Sequence, residues 1–325
     1  MKRIAYLLVP DFQVMVFGGL TAFEVANHTA KEPCYDIRLI SESGGPVPSS
    51  LGYSVTTEAF GDAAFDTVIA CGALSIQPVS AGVVDFLQAA MSTSRRVASM
   101  CTGAFHLAQA GLLHERRATT HWLFARQLQA SYPTVKVDED RIFIVDGPVW
   151  TSAGMTAGTD LALAMIEQDL GAEVAKLVAK KLVMFHRRAG GQLQHSALLE
   201  LDAKSDRIQN ALVYARKHLQ SPLTVEQLAD VANLSPRQFS RAFHAETGRS
   251  PAKAVETLRV EAARAMMEEG QLSIDVVARE TGFADRNRMR RAFLRAFGQP
   301  PQALRRNSRA GMATRPNELE RGDAA

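Results

Sequence analysis

The chain has 325 residues, 46% apolar and 22% charged, with 22 Gly, 13 Pro and 3 Cys. That length suits two domains, the composition excludes a disordered, collagen-like or disulfide-stapled chain, and no apolar run reaches the ~18 residues of a membrane-spanning helix. The net charge of +3 conceals a division: 17 Lys/Arg face 11 Asp/Glu between Ser205 and Asn307, leaving 20 basic and 23 acidic residues elsewhere, so the final third alone suits a polyanionic partner.

The first residues, MKRIAYLLVPD, place a short apolar stretch after two basic residues. Asp11 interrupts it and no small-residue cleavage site follows, so a β-strand is expected rather than a signal peptide. Short Val/Ile-rich runs predict strands over 4–9, 37–40, 67–71, 97–100, 142–145 and 149–151. Helical patterns fall between them, over 20–30, 82–92, 104–110, 122–131 and 156–170. This alternation predicts an α/β domain over residues 1–186, with a mainly parallel, doubly wound, flavodoxin-like sheet. Ligands on such sheets sit outside the carboxyl ends of the strands, which directs attention to the loops after Val9, Cys71 and Met100.

Cys34, Cys71 and Cys101 are odd in number, widely spaced and without a CxxC pair. That argues against a disulfide framework or a zinc knuckle and fits a reducing cytoplasm. Cys101 stands where a strand turns sharply into a helix (CTGAF, 101–105). A helix N-terminus there lowers a thiol pKa, giving a reactive or ligand-facing cysteine; a small buried residue at a tight turn is the alternative. Cys71 ends a central strand, so a redox pair with Cys101 is also open. No GxGxxG, Walker or HExxH pattern occurs, so no cofactor and no metal are expected.

Residues 187–204 open with RRAGGQLQHS and read as an interdomain linker. Beyond them strand signals vanish, and residues 205–307 predict an all-α domain. Residues 308–325, rich in Gly, Pro and charge, are expected to be disordered. Within the helical region a single supersecondary unit occurs twice. Leu228-Ala229 and Asn233-Leu234-Ser235 correspond to Val277-Ala278 and Gly282-Phe283-Ala284 at an offset of 49. Ser240-Arg241-Ala242-Phe243 and Gly248 correspond to Arg290-Arg291-Ala292-Phe293 and Gly298 at an offset of 50. Ser235 and Asp285 suit helix N-caps, and Pro236 is tolerated at the first helical position. A small Ala where two helices cross, an apolar plug at the turn and a capped second helix are what a helix-turn-helix requires. Phe239 with Phe243, and Met289 with Phe293, fall on one face of their helices. Arg237, Ser240 and Arg241, and Arg286, Asn287, Arg290 and Arg291, fall outward. Arg and Asn are side chains that read guanine and adenine edges in the major groove.

These residues resemble the AraC/XylS-type DNA-binding domain, in which two helix-turn-helix units are joined by a long helix, here near 251–269. Its second-unit signature corresponds to Val277-Ala278, Gly282-Phe283, Asp285, Arg291-Ala292-Phe293 and Gly298-Gln299-Pro300-Pro301. The resemblance implies a double-stranded DNA operator as partner and RNA polymerase as a further one. Arg237, Ser240 and Arg241 would then face bases or phosphates from the first helix. Arg286, Asn287 and Arg290 would do so from the second, with Arg291 on phosphate. Four arginines at 286, 288, 290 and 291 add a non-specific, salt-sensitive component.

The motifs SMCTGA (99–104), ATTHW (118–122), TSAG (151–154) and GTDL (158–161) resemble the ThiJ/PfpI (class I glutamine amidotransferase-like) domain that is fused to AraC-type domains in GlxA-like regulators. The resemblance implies a homodimer and a small effector, such as an amino acid or other nitrogenous metabolite, held near Cys101, Thr102, Gly72 and His121. In enzymatic relatives a carboxylate supports the cysteine. Its position falls here on Gly18, while Glu24 does not match, so a binding pocket rather than an enzyme is expected. A cysteine-dependent hydrolase, hydratase or deglycase with accessory DNA binding, using a Cys101/His121 pairing, is the alternative.

Overall fold

Strand β1 (Lys2–Leu7) runs through the middle of a sheet and distributes its side chains to two cores. Ile4 and Tyr6, with Leu8 beyond, enter one; Ala5 and Leu7 enter the other. Alternation of this kind on an apolar strand is what a sheet covered on both faces demands. The computed structural model describes residues 1–30, 32–61, 64–184, 188, 190, 194, 201, 203–269 and 272–303. These belong to two compact units, one within residues 1–190 and one within 191–313.

In the first unit β1 pairs in parallel with β2 (Tyr35–Ser41) and β5 (Thr67–Ala70). β5 pairs with β6 (Arg96–Met100), and β6 with β10 (Val149–Ser152), both in parallel. The edges depart from the expectation. β9 (Phe143–Asp146) runs antiparallel to β10. On the far side β4 (Ser54–Ala59) and an antiparallel β3 (Gly45–Pro48) extend the sheet, giving the order β3-β4-β2-β1-β5-β6-β10-β9. A separate two-stranded ladder joins β7 (Arg117–Ala118) to β8 (Lys136–Val137). Helices α1 (Phe17–Asn27), α5 (Thr156–Leu170) and α6 (Ala172–Lys181) pack on the Tyr6 core. Helices α2 (Ala81–Thr93), α3 (Gly103–Gln109) and α4 (Trp122–Ser131) pack on the other. The sheet is therefore doubly wound, and the carboxyl ends of β1, β5 and β6 stand side by side.

The second unit is all-α among its described residues. Helices α7 (Asp206–Lys217), α8 (Val225–Val231) and α9 (Pro236–Thr247) enclose Leu212, Leu228, Phe239 and Phe243. Helices α11 (Ile274–Glu280) and α12 (Arg286–Phe297) enclose Val277, Met289 and Phe293. Helix α10 (Pro251–Glu269), about 28 Å long at 1.5 Å per residue, gives Ala254 and Leu258 to the first core and Val260 and Met267 to the second. The linker expected over 187–204 lies outside the described residues except for Arg188, Gly190, Gln194, Leu201, Ala203 and Lys204. The disordered tail expected over 308–325 lies wholly outside them. No described helix is long and apolar enough to cross a membrane.

Candidate functional site

β6 is buried along its whole length and delivers Cys101 at φ +55° immediately before α3. A non-glycine residue in that region costs about 1–3 kcal/mol unless its surroundings hold it there. Here they do. The Cys101 amide donates to the Ser152 carbonyl at 3.0 Å, and the Thr120 hydroxyl donates to the Cys101 carbonyl at 2.8 Å. Gly154, at φ +76°, leaves no space beyond itself, because a Cβ at that position would overlap the Cys101 Cβ.

Thr102 turns its hydroxyl onto the Ala73 carbonyl at 2.7 Å. A Cβ on Gly72 would sit 2.8 Å from the same Thr102 oxygen. Cys101, Thr102 and Gly72 are thus brought together at the ends of β5 and β6. His121 is the N-cap of α4, its Nδ1 accepting from the Leu123 amide at 3.4 Å. The neighbouring Thr120 supplies the tie to the elbow.

The expected lowering of the Cys101 pKa is overturned. Cys101 is 3% exposed, and burial pushes its thiol up to about 11, outweighing the hydrogen bonds from Thr102 that favour the thiolate. α3 has only seven residues, and a short dipole does not offset removal from water. Cys71 is buried as well and its thiol is pushed far up for the same reason. All three cysteines are free.

In the second unit the two halves repeat atom for atom at their turns. The Leu234 amide donates to the Ala229 carbonyl at 3.0 Å, and the Phe283 amide to the Ala278 carbonyl at 2.8 Å. Ala229 and Ala278 are buried, as crossing helices require. Ser235 and Gln238 form a capping box at the start of α9, with Pro236 at its first position and Gly248 closing it in the left-handed region. Asp285 caps α12 by accepting from the Asn287 and Arg288 amides at 2.7 and 2.8 Å, and Gly298 closes that helix. Phe239, Phe243, Met289 and Phe293 are buried. Opposite them Arg237, Arg241, Arg286, Asn287, Arg290 and Arg291 are exposed and Ser240 is half-buried. Among the described residues, none of those five arginines is engaged in an ion pair; Arg288 leans on Asp285 at 3.8 Å.

Residues 228–307 match the model of a helix-turn-helix domain, and residues 14–168 match that of the DJ-1/PfpI family. The HTH-type transcriptional regulator GlxA of Rhizobium meliloti is 30% identical over 325 aligned positions, covering 94% of this chain and 96% of the relative. The chain belongs to this family of two-domain HTH-type transcriptional regulators. An isonitrile hydratase from Pseudomonas putida is 32% identical over 184 residues, 55% of this chain and 77% of the hydratase. In fold the chain is similar to an AraC family transcriptional regulator from Pseudomonas putida, at 21% identity and a TM-score of 0.51 over 56% of this chain and all of the other.

One feature of this family member escaped sequence reasoning. Arg188, assigned to the linker, is held by the α/β unit. Its amide donates to Asp160 Oδ1 and its Nε to Oδ2, each at 2.9 Å, and Nη2 reaches the Thr156 hydroxyl at 2.7 Å. Asp160 is fully buried. An Asp at the start of the apolar stretch of α5 was the available signal. These contacts fall on the first turns of α5, directly after the Gly154 that presses on Cys101. Gly18 lies in α1 facing α5, where a Cβ would come within 2.9 Å of the Thr159 hydroxyl.

Proposed function

We propose that this chain is a sequence-specific DNA-binding regulator of transcription whose α/β unit senses a small metabolite. The observation that carries the reading is the doubled helix-turn-helix, each copy presenting exposed cations outward from a capped helix. In this reading residues 205–307 bind the operator. Arg237, Ser240 and Arg241 contact it from α9, and Arg286, Asn287 and Arg290 from α12, on base edges or phosphates. Arg291 holds phosphate, which orients the domain without reading sequence. Residues 1–186 hold the effector, a nitrogenous metabolite, near Cys101, Thr102 and Gly72, with His121 at the rim. The effector acts through unequal affinity for two arrangements of the chain. Residues 187–204 connect the two domains, the chain works as a cytoplasmic homodimer, and RNA polymerase is its downstream partner.

A second reading, a cysteine-dependent hydratase or deglycase, is favoured by the strained elbow. The buried thiol near pKa 11 weighs against it, because the nucleophile is the thiolate. Gly18 in place of a supporting carboxylate weighs the same way. We propose that Cys101 binds rather than reacts. The test is a thermal-shift screen of the full chain against amino acids and betaines, with isonitriles and glyoxals assayed for turnover. Cys101→Ala is expected to alter the response to the effector found and to leave operator affinity unchanged. Turnover lost in Cys101→Ala would establish the enzyme instead.

A further inference from the structure

We propose that Arg259 is the positioning residue that holds the two reading helices at one fixed rotation about α10, by clamping a loop of the first helix-turn-helix unit against the turn of the second. The inference rests on both α9 and α12 entering DNA, as proposed above. A shared helix fixes how far apart two units lie; it does not fix their rotation about its axis. Something must resist that rotation if both are to meet successive grooves about 34 Å apart.

Arg259 stands in the middle of α10, between the residues given to the two cores. Its Nε donates to the Leu219 carbonyl at 3.1 Å and its Nη2 to the Ser221 carbonyl at 2.6 Å. Both acceptors lie in the short loop between α7 and α8, outside either helix's own hydrogen-bond ladder. The guanidinium is half-buried, and loss of water lowers its pKa. A cation partly removed from water at two carbonyls is placed to hold structure rather than to collect phosphate.

The same three-residue segment meets the second unit. Gly282, at φ +76° in the turn before α12, faces the Leu219 carbonyl so closely that a Cβ would overlap it, and that Cβ would also come within 2.8 Å of Arg259 Nε. Gln220 Nε2 donates to Glu280 Oε2 at 2.5 Å. A groove lined by Gln220, Asp275, Arg279, Gly282 and Arg286 runs beside this contact, so the clamp adjoins the start of the second reading helix. α12 is fastened to α10 from its other end by Arg295 on Glu256 at 2.6 Å and by Arg264 over the Phe297 ring. Turning one unit about α10 therefore means breaking the Arg259 bonds or driving Gly282 from Leu219. Arg259 lies outside both copies of the repeat, which is why comparing them passes over it.

The test measures full-length protein by fluorescence anisotropy on a selected operator with both half-boxes, on duplexes with either half-box scrambled, and on one with an extra base pair between the boxes. Wild type is expected to lose about tenfold or more on the insertion, of the order of a mismatched pair. Arg259→Met is expected to bind the intact operator about tenfold more weakly, to match wild type on single half-boxes, and to lose little on the insertion. Arg259→Lys, which keeps the stem and one donor group, should fall between them; if Arg259→Met loses its thermal transition, Arg259→Lys carries the comparison. Wild-type affinity with a wild-type spacing penalty in Arg259→Met overturns the proposal. So does an equal loss on single and double boxes, which would make Arg259 a phosphate contact or a support of one unit. A wild type indifferent to scrambling either half-box overturns the two-helix reading itself, and the clamp with it.

Discussion

At Cys101 the chain holds a backbone conformation that side chains rarely adopt, and three neighbours hold it there: Thr120, Ser152 and Gly154. The elbow was legible in the sequence as a strand running into CTG. Its protonation was not, because the thiol's environment is made by β10 and the Gly154 turn some 50 residues on. His106 is a comparable case. Buried on α3 with Nδ1 unpartnered, it is pushed down to about 4, against about 6.5 for an unfolded histidine. The unfolded chain therefore takes up a proton first as pH falls. The contribution is complete above pH 6.5 and is lost between about 6.5 and 4, the loss reaching about 2 kcal/mol by pH 5. Both tryptophans, Trp122 and Trp150, lie in the α/β unit, so their fluorescence during urea unfolding follows that unit alone. Wild type should weaken between pH 7 and 5 and His106→Leu should weaken less; parallel profiles would contradict the assignment. For the reading residues, Arg241→Ala and Arg290→Ala should each lower operator affinity by ~1–3 kcal/mol where the side chain reads a base. Titration against selected and scrambled duplexes separates base reading from phosphate contact, and unchanged binding in both variants would refute the helix assignments.

Among the elements, those with strong apolar patterns were legible and those at edges were not. β3 and β4 carry Pro46, Pro48 and a run of polar residues (Ser54, Thr56, Thr57, Glu58), which deny the alternation of a half-buried strand. Both prolines fall on an edge strand, where a missing ladder donor is tolerated. α1 begins at Phe17 rather than near 20 because it grows out of a single 3-10 turn without a side-chain cap, so no start signal exists. The helix-turn-helix elements were legible in detail because every one of their boundaries carries a cap or a left-handed residue. The linker reading over 187–204 gave Arg188 no partner in the α/β unit, since the buried carboxylate that claims it lies 28 positions earlier. Arg188→Met should destabilise the α/β unit by about 1–3 kcal/mol, since it removes the charge-assisted side-chain bonds to the fully buried Asp160 while keeping the backbone one. Asp160→Asn should cost less, because Arg188 retains access to water. Tryptophan-monitored urea unfolding measures both; a loss under about 1 kcal/mol in Arg188→Met would show that the ion pair does not anchor this segment.

Over the whole molecule, charge and architecture divide together. The described basic residues of the final third lie on an all-α unit with a doubled helix-turn-helix, while the balanced remainder builds a doubly wound sheet around a buried thiol. The repeat at 49–50 residues made the first half of that statement legible, because identical local problems, a crossing, a turn and a cap, received near-identical residues. What the repeat does not encode is the hold on α10, which depends on residues that occur once. The most direct test of the account is a hydroxyl-radical footprint of the full chain on a selected operator. The account predicts protected stretches in pairs about 10 base pairs apart on one face of the duplex, with Arg241→Ala weakening one member of each pair and Arg290→Ala the other. A single protected stretch per site, or protection that both substitutions weaken evenly, would contradict it.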